Sequence, residues 1–148
     1  VQRLRYLPLL LAVILSAPFA AIAENSTTAG GFTVHYNAFT TSTLTPEVAR
    51  AYGIRRSKNR GLLSVSVIRE KEGAIGTSVP GLIQVKTLTL TGQGAPLAMR
   101  EIREVGAVYY IGEFRIQDRE KVNFAIKVTP EGTSETFIVN MEHQFFTG

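Results

Sequence analysis

The sequence predicts an all-β domain, an immunoglobulin-like β-sandwich of about seven strands with one short helix between the first two strands. Three observations point there. Apolar and polar residues alternate with period two in run after run. Turns built on Gly and Pro separate these runs at short intervals. The chain has 148 residues, enough for one ordinary domain and too few for two well-buried ones. A small closed β-barrel is the alternative, because pattern alone does not fix which strands pair.

The chain opens with an export signal rather than with a strand. Val1-Gln2-Arg3-Leu4-Arg5 is a short basic stretch, Leu9 to Leu15 is uninterruptedly apolar, and Ala21-Ile22-Ala23 is a small-x-small cleavage site. This is the three-part pattern of a signal peptide over residues 1–23, cleaved after Ala23. Pro8, Ser16 and Pro18 interrupt the run, which is short beside the ~20 residues of a spanning helix. Loss of Arg3 and Arg5 takes the formal charge from +4 to +2. The basic start and the absence of Cys favour a bacterial periplasm, and no later run is long enough to span a membrane.

Residues 24–31 are small and polar and read as a flexible leader ahead of a single sandwich domain over 32–148. Phe32, Val34, Tyr36 and Ala38 give the first strand an apolar face. Leu44-Thr45-Pro46-Glu47-Val48-Ala49-Arg50-Ala51-Tyr52-Gly53 breaks the alternation and reads as a short helix. Thr45 is its N-cap, Pro46 its first residue and Gly53 its C-terminal stop. Leu44 and Ala49 are placed as a hydrophobic staple, and Val48 and Tyr52 share the docking face. Such a helix is expected to cover a sheet end or edge. Leu63, Val65 and Val67 mark the second strand, followed by candidates over 82–90, 96–103 and 106–114. Val122, Phe124, Ile126 and Val128 form the cleanest one-sided strand. Phe137, Val139, Met141, His143 and Phe145 line the last one, so the apolar ending Phe145-Phe146 is expected to complete the core.

Several segments are distinctive in combination: His35-Tyr36-Asn37-Ala38-Phe39, Leu44-Thr45-Pro46-Glu47-Val48-Ala49, Tyr52-Gly53-Ile54 with Arg56-Ser57-Lys58, the Tyr109-Tyr110 pair and the Phe-rich final strand. Together they resemble a proteobacterial family of small exported proteins, domain of unknown function 4426. The resemblance covers essentially all of the chain after the signal. It implies a periplasmic location and a β-rich domain, and it brings no activity, cofactor or catalytic residues.

Most chemistries lack their residues. Without Cys there is no disulfide framework, thiol nucleophile or Cys-based zinc site. Gly76-Thr77-Ser78-Val79-Pro80-Gly81 is one residue too long for a nucleophile elbow and has no helix after it. Gly92-Gln93-Gly94 is a turn, not a phosphate loop. Asp118 is the only Asp, which argues against a calcium loop. Glu101 and Glu104 sit beside Arg100 and Arg103 and read as an alternating charged strand surface rather than a glycosidase pair. No cofactor is expected.

Two constellations remain. Arg50, Arg55, Arg56, Lys58 and Arg60 are five cations with no acid between Glu47 and Glu70. They are the candidate anion or partner site, against the plainer reading of a solvated loop paired elsewhere. His35 and His143 lie on the first and last strands, which run side by side in many immunoglobulin-like folds. They are the alternative metal or hydrolytic centre, against the plainer reading of two separate histidines. The expected function is a periplasmic, non-catalytic binding or accessory module contacting an envelope protein or an anionic lipid or glycan. Nucleic acid is not an expected partner. The alternative is a metal-binding protein or hydrolase centred on His35 and His143.

Overall fold

The computed structural model describes residues 25–88 and 91–148. The signal-peptide reading of 1–23 lies outside the described residues. The elements in order are β1 (Asn25–Ala29), β2 (Phe32–Thr40), a 3-10 turn (Thr41–Thr43), α1 (Pro46–Ala51), β3 (Arg60–Lys71), β4 (Ala74–Val79), β5 (Gly81–Leu88), β6 (Gly94–Leu97), β7 (Arg100–Glu104), β8 (Ala107–Arg115), β9 (Lys121–Pro130) and β10 (Phe137–Gln144). They form two antiparallel sheets packed face to face as a β-sandwich, not a closed barrel. Sheet A runs β1-β2-β3-β8-β7, and β4 pairs with the far end of β3 that β8 leaves free. Sheet B runs β10-β9-β5-β6. No helix among the described residues is long and apolar enough to cross a membrane.

The inward faces are those the alternation selects. Leu63, Val65 and Val67 of β3 meet Phe124, Ile126 and Val128 of β9 in one fully buried core. At one end Phe114 packs edge-on against Phe124 at 5.3 Å and Phe145 at 5.5 Å. Phe145 is 1% exposed and Phe146 64%, so the chain ending divides between core and solvent. The tail is held there by Phe145 N–H donating to the Glu120 carbonyl (2.8 Å) and Thr147 N–H to Asp118 Oδ1 (2.9 Å).

The strand count rises to ten among the described residues for three reasons. The segment expected as a flexible leader is strand β1, which pairs with β2 from Asn25↔Tyr36 to Ala29↔Phe32. Gly30 and Gly31 both have positive φ (58° and 80°), which a two-residue hairpin turn of this twist requires. Strand β4 had no alternating pattern to reveal it, since only its last residue, Val79, is buried. The single strand expected over 96–103 is two strands in different sheets, β6 in sheet B and β7 in sheet A, because the chain crosses between layers at Ala98 and Met99.

Tyr110 anchors another crossing. Its hydroxyl accepts from Gly81 N–H (2.9 Å), where the chain passes from β4 to β5, and donates to Glu101 (3.3 Å). Ser78 Oγ accepts from Val108 N–H (2.9 Å), which ties the end of β4 to the start of β8.

The helix forms as its caps dictate. Thr45 Oγ1 accepts from Val48 N–H, Pro46 opens the first turn, and Gly53 (φ 64°) ends the helix. It does not cover an edge. It lies on the outer face of sheet A, where Ala49 and Ile54 pack on Leu62 and Ile111 in a second, separate cluster. Central strand β3 is therefore apolar on both faces along Leu62-Leu63, which one-sided alternation does not predict.

Candidate functional site

The basic segment runs from the last turn of α1, which carries Arg50, through the connecting loop to the start of β3. Arg50, Arg55, Arg56 and Lys58 are exposed, and Arg60 is half-buried at the start of β3. The loop is held by one buried hydroxyl. Thr41, fully buried just after β2, accepts from Ser57 N–H (2.9 Å) and faces the carbonyls of Arg55 (2.9 Å) and Ser57 (3.2 Å). Arg56 Nη2 donates to the Ser42 carbonyl (3.2 Å), a second tie to the same turn. Asn59 carbonyl accepts from Ile116 N–H (3.0 Å), joining the loop to the β8–β9 connection.

The five cations are not equivalent. Arg60 pairs with Glu113 at 3.5 Å. Arg50, Arg55, Arg56 and Lys58 make no ion pair to an acid among the described residues. Sequence reasoning missed a sixth member. Arg115 is the direct cross-strand partner of Arg60 and is exposed on the same sheet face. Like charges directly opposite each other are destabilising, and Glu113, two residues away on the same face, offsets the pair. Only strand register brings residues 60 and 115 together, so no local signal could have found Arg115.

The two histidines are not brought together by adjacent strands. His35 lies on β2 in sheet A, in register with Ser26 and Ser66, and His143 lies on β10 in sheet B, opposite Val122. The expectation that first and last strands run side by side is corrected: β2 is flanked by β1 and β3, and β10 by β9. His143 instead packs edge-on against Phe145 at 4.6 Å, and burial lowers its pKa below the ordinary value. Among the described residues no three His, Asp or Glu group in a way that could hold a metal. Glu101 bonds Arg103 and Tyr110, and Glu104 accepts from the Tyr52 hydroxyl, so both carboxylates are engaged in structural contacts.

The fold and these surfaces define a small two-sheet antiparallel β-sandwich with one outer face capped by a short helix and one basic end. Within that class the chain belongs to the domain of unknown function family DUF4426, whose model matches residues 26–148. It is similar to the crystal structure of a DUF4426 family protein from Pseudomonas aeruginosa PAO1, with 33% identity and a TM-score of 0.67, over 83% of this chain and 94% of that one. No curated protein matches the chain. The family resemblance of the motif segments is thus borne out over the whole described domain.

Proposed function

We propose that this is an exported, periplasmic, non-catalytic binding module of immunoglobulin-like type, and that its basic end contacts an anionic envelope polymer or lipid. The observation that carries the reading is the Thr41-pinned loop. It presents Arg55, Arg56 and Lys58, with Arg50 just before it in the last turn of α1, without acid partners among the described residues, and Arg115 stands opposite Arg60 at its end. A loop whose backbone is already pinned loses little conformational entropy on meeting an anion, whereas a mobile loop loses more. The immunoglobulin-like part rests on strand order: β2-β3-β8-β7 and β10-β9-β5 follow the ABED and GFC sheets of such sandwiches. Export rests on the pattern of residues 1–23.

Sedimentation with phosphatidylglycerol and phosphatidylcholine vesicles tests the reading. The protein should sediment with the first and not the second, and less so as salt rises. Each cation near an anionic surface contributes about 1 kcal/mol, so neutralising three costs about 3 kcal/mol, more than a hundredfold in partition. The variant R55E/R56E/K58E should therefore stay in the supernatant while melting as the parent does. Equal sedimentation of parent and variant overturns the proposal.

A further inference from the structure

Beneath α1 lies a cleft of about 210 Å³ that the basic-end reading does not use. Sheet A supplies its floor with Phe39, Leu62, Ile102 and Ile111. The helix side supplies Leu44, Val48 and Tyr52. Val48 and Tyr109, each 39% exposed, stand at the mouth. Among the described lining residues Glu104 alone is charged, and it accepts a hydrogen bond from the Tyr52 hydroxyl. Arg100 donates to the Tyr52 carbonyl, a second bond that holds the same residue.

The cleft is open to solvent on one side, and water over its apolar floor lacks the polar partners that make it worth keeping. The helix over it has six residues, too few to be stable alone, and only Ala49 among them is buried. Its position depends on the Thr45 cap, on Ile54 N–H donating to the Ala49 carbonyl (2.7 Å) and on the Tyr52–Glu104 bond. The cleft is thus held open by specific bonds instead of collapsing.

We propose that the cleft binds one small aromatic or branched apolar molecule that is uncharged or carries an ammonium group, and that it rejects anions. Size sets the first limit. The volume exceeds the ~150 Å³ of an apolar cavity that takes benzene and falls short of the ~300–1,000 Å³ of drug-sized sites. Charge sets the second. A carboxylate at the mouth attracts an ammonium and repels another carboxylate. The aromatic walls Phe39, Tyr52 and Tyr109 offer π faces to a cation. This preference is opposite to that of the basic end, so the two proposals fail independently.

The test titrates the purified protein with indole, benzylamine and benzoate, followed by amide chemical shifts and thermal unfolding. Indole and benzylamine should give saturable shifts confined to residues 44–54, 62–64 and 102–111 and raise the Tm. Benzoate should bind about tenfold or more weakly, from repulsion by Glu104. Ser64 of β3 also lines the cleft; Ser64→Leu, which fills the space over it, and Val48→Trp, which closes the mouth from the solvent side, should each abolish the shifts. Glu104→Gln should erase the preference of benzylamine over benzoate. R55E/R56E/K58E should leave all of these unchanged. No saturable shift with either indole or benzylamine overturns the proposal, as does an undiminished response in folded Val48→Trp or benzoate binding as tightly as benzylamine.

Discussion

Thr41→Val replaces one hydroxyl by a methyl of the same branching, so its effect reports chiefly on the bonds that pin the basic loop. The hydroxyl accepts from Ser57 N–H at 2.9 Å and faces two carbonyls, Arg55 and Ser57. A buried polar group left without its partner costs about 1–3 kcal/mol. Arg55 is exposed, so its carbonyl can turn to water, whereas Ser57 is half-buried and its amide cannot do so freely. The expected loss is therefore about 1–2 kcal/mol, or about 4–8 °C in Tm for a domain of this size. Thr41→Ser is the control. It keeps the hydroxyl and deletes one methyl from a fully buried site, a loss of about 1 kcal/mol by burial alone. Stability by itself separates the two poorly, so the deciding assay is hydrogen exchange at the Ser57 amide. Protection should survive in Thr41→Ser and fall in Thr41→Val. If Thr41→Val unfolds within about 0.3 kcal/mol of the parent and keeps Ser57 protected, the hydroxyl does not hold the loop and the reasoning fails.

Three further outcomes follow from the core. Phe145→Ala should cost about 3–5 kcal/mol in urea unfolding, since the ring is buried against Phe114, while Phe146→Ala at the next position should stay within about 0.5 kcal/mol of the parent. Tyr110→Phe leaves the Gly81 amide without its acceptor and should cost about 1–2 kcal/mol. Burial also raises the Tyr110 pKa above 10.0, so its contribution is complete below pH 10 and declines as pH rises through the folded value; Tyr110→Phe should remove that decline. Burial lowers the His143 pKa below 6.5, so the unfolded chain takes up this proton more readily than the fold does. The contribution of His143 is then complete above pH 6.5 and is lost as pH falls toward the folded value. Urea midpoints should drop over that window in the parent and drop less in His143→Phe.

What the sequence made legible follows the buried faces. The alternations of β2, β9 and β10 each put one face on the core, and a residue that points inward has no other explanation for being apolar. The α1 caps were equally plain, because capping is local chemistry. Strand β1 was opaque, since all five of its residues are exposed and backbone pairing leaves no trace in side-chain polarity. Strands β6 and β7 merged for the related reason that a change of sheet needs only two residues. The cations Arg50, Arg55, Arg56, Lys58 and Arg60 were visible as a run, but Arg115 and the Arg60–Glu113 pair depend on register. The cleft under α1 could not be read at all. Its floor residues Phe39, Leu62, Ile102 and Ile111 come from four strands, and on the chain they read as core.

The connection from β2 to β3 concentrates what is not scaffold. Antiparallel neighbours need only about two to five linking residues, yet Thr40 and Gly61, already in register, are joined by the whole segment 41–60. No residue of that segment enters the inter-sheet core. It supplies instead the pinned basic loop, the capped helix and one wall of the cleft. Apolar Leu62 and Ile111 on the outer face then gain most of their cover from this segment, through buried Ala49 and Ile54 with Leu44 and Tyr52, beside Phe39 and Ile102 of the sheet itself. A sandwich that needed only to fold would carry polar residues at positions 62 and 111 and a short turn. Substitutions at Arg50, Arg55, Arg56, Lys58 or Val48, all exposed, should change binding with stability shifts of about 0.5 kcal/mol or less, and substitutions in the core should do the reverse. If the exposed positions of 41–60 proved to govern unfolding while leaving both binding assays unmoved, the segment would be scaffold and both proposals would lose their ground.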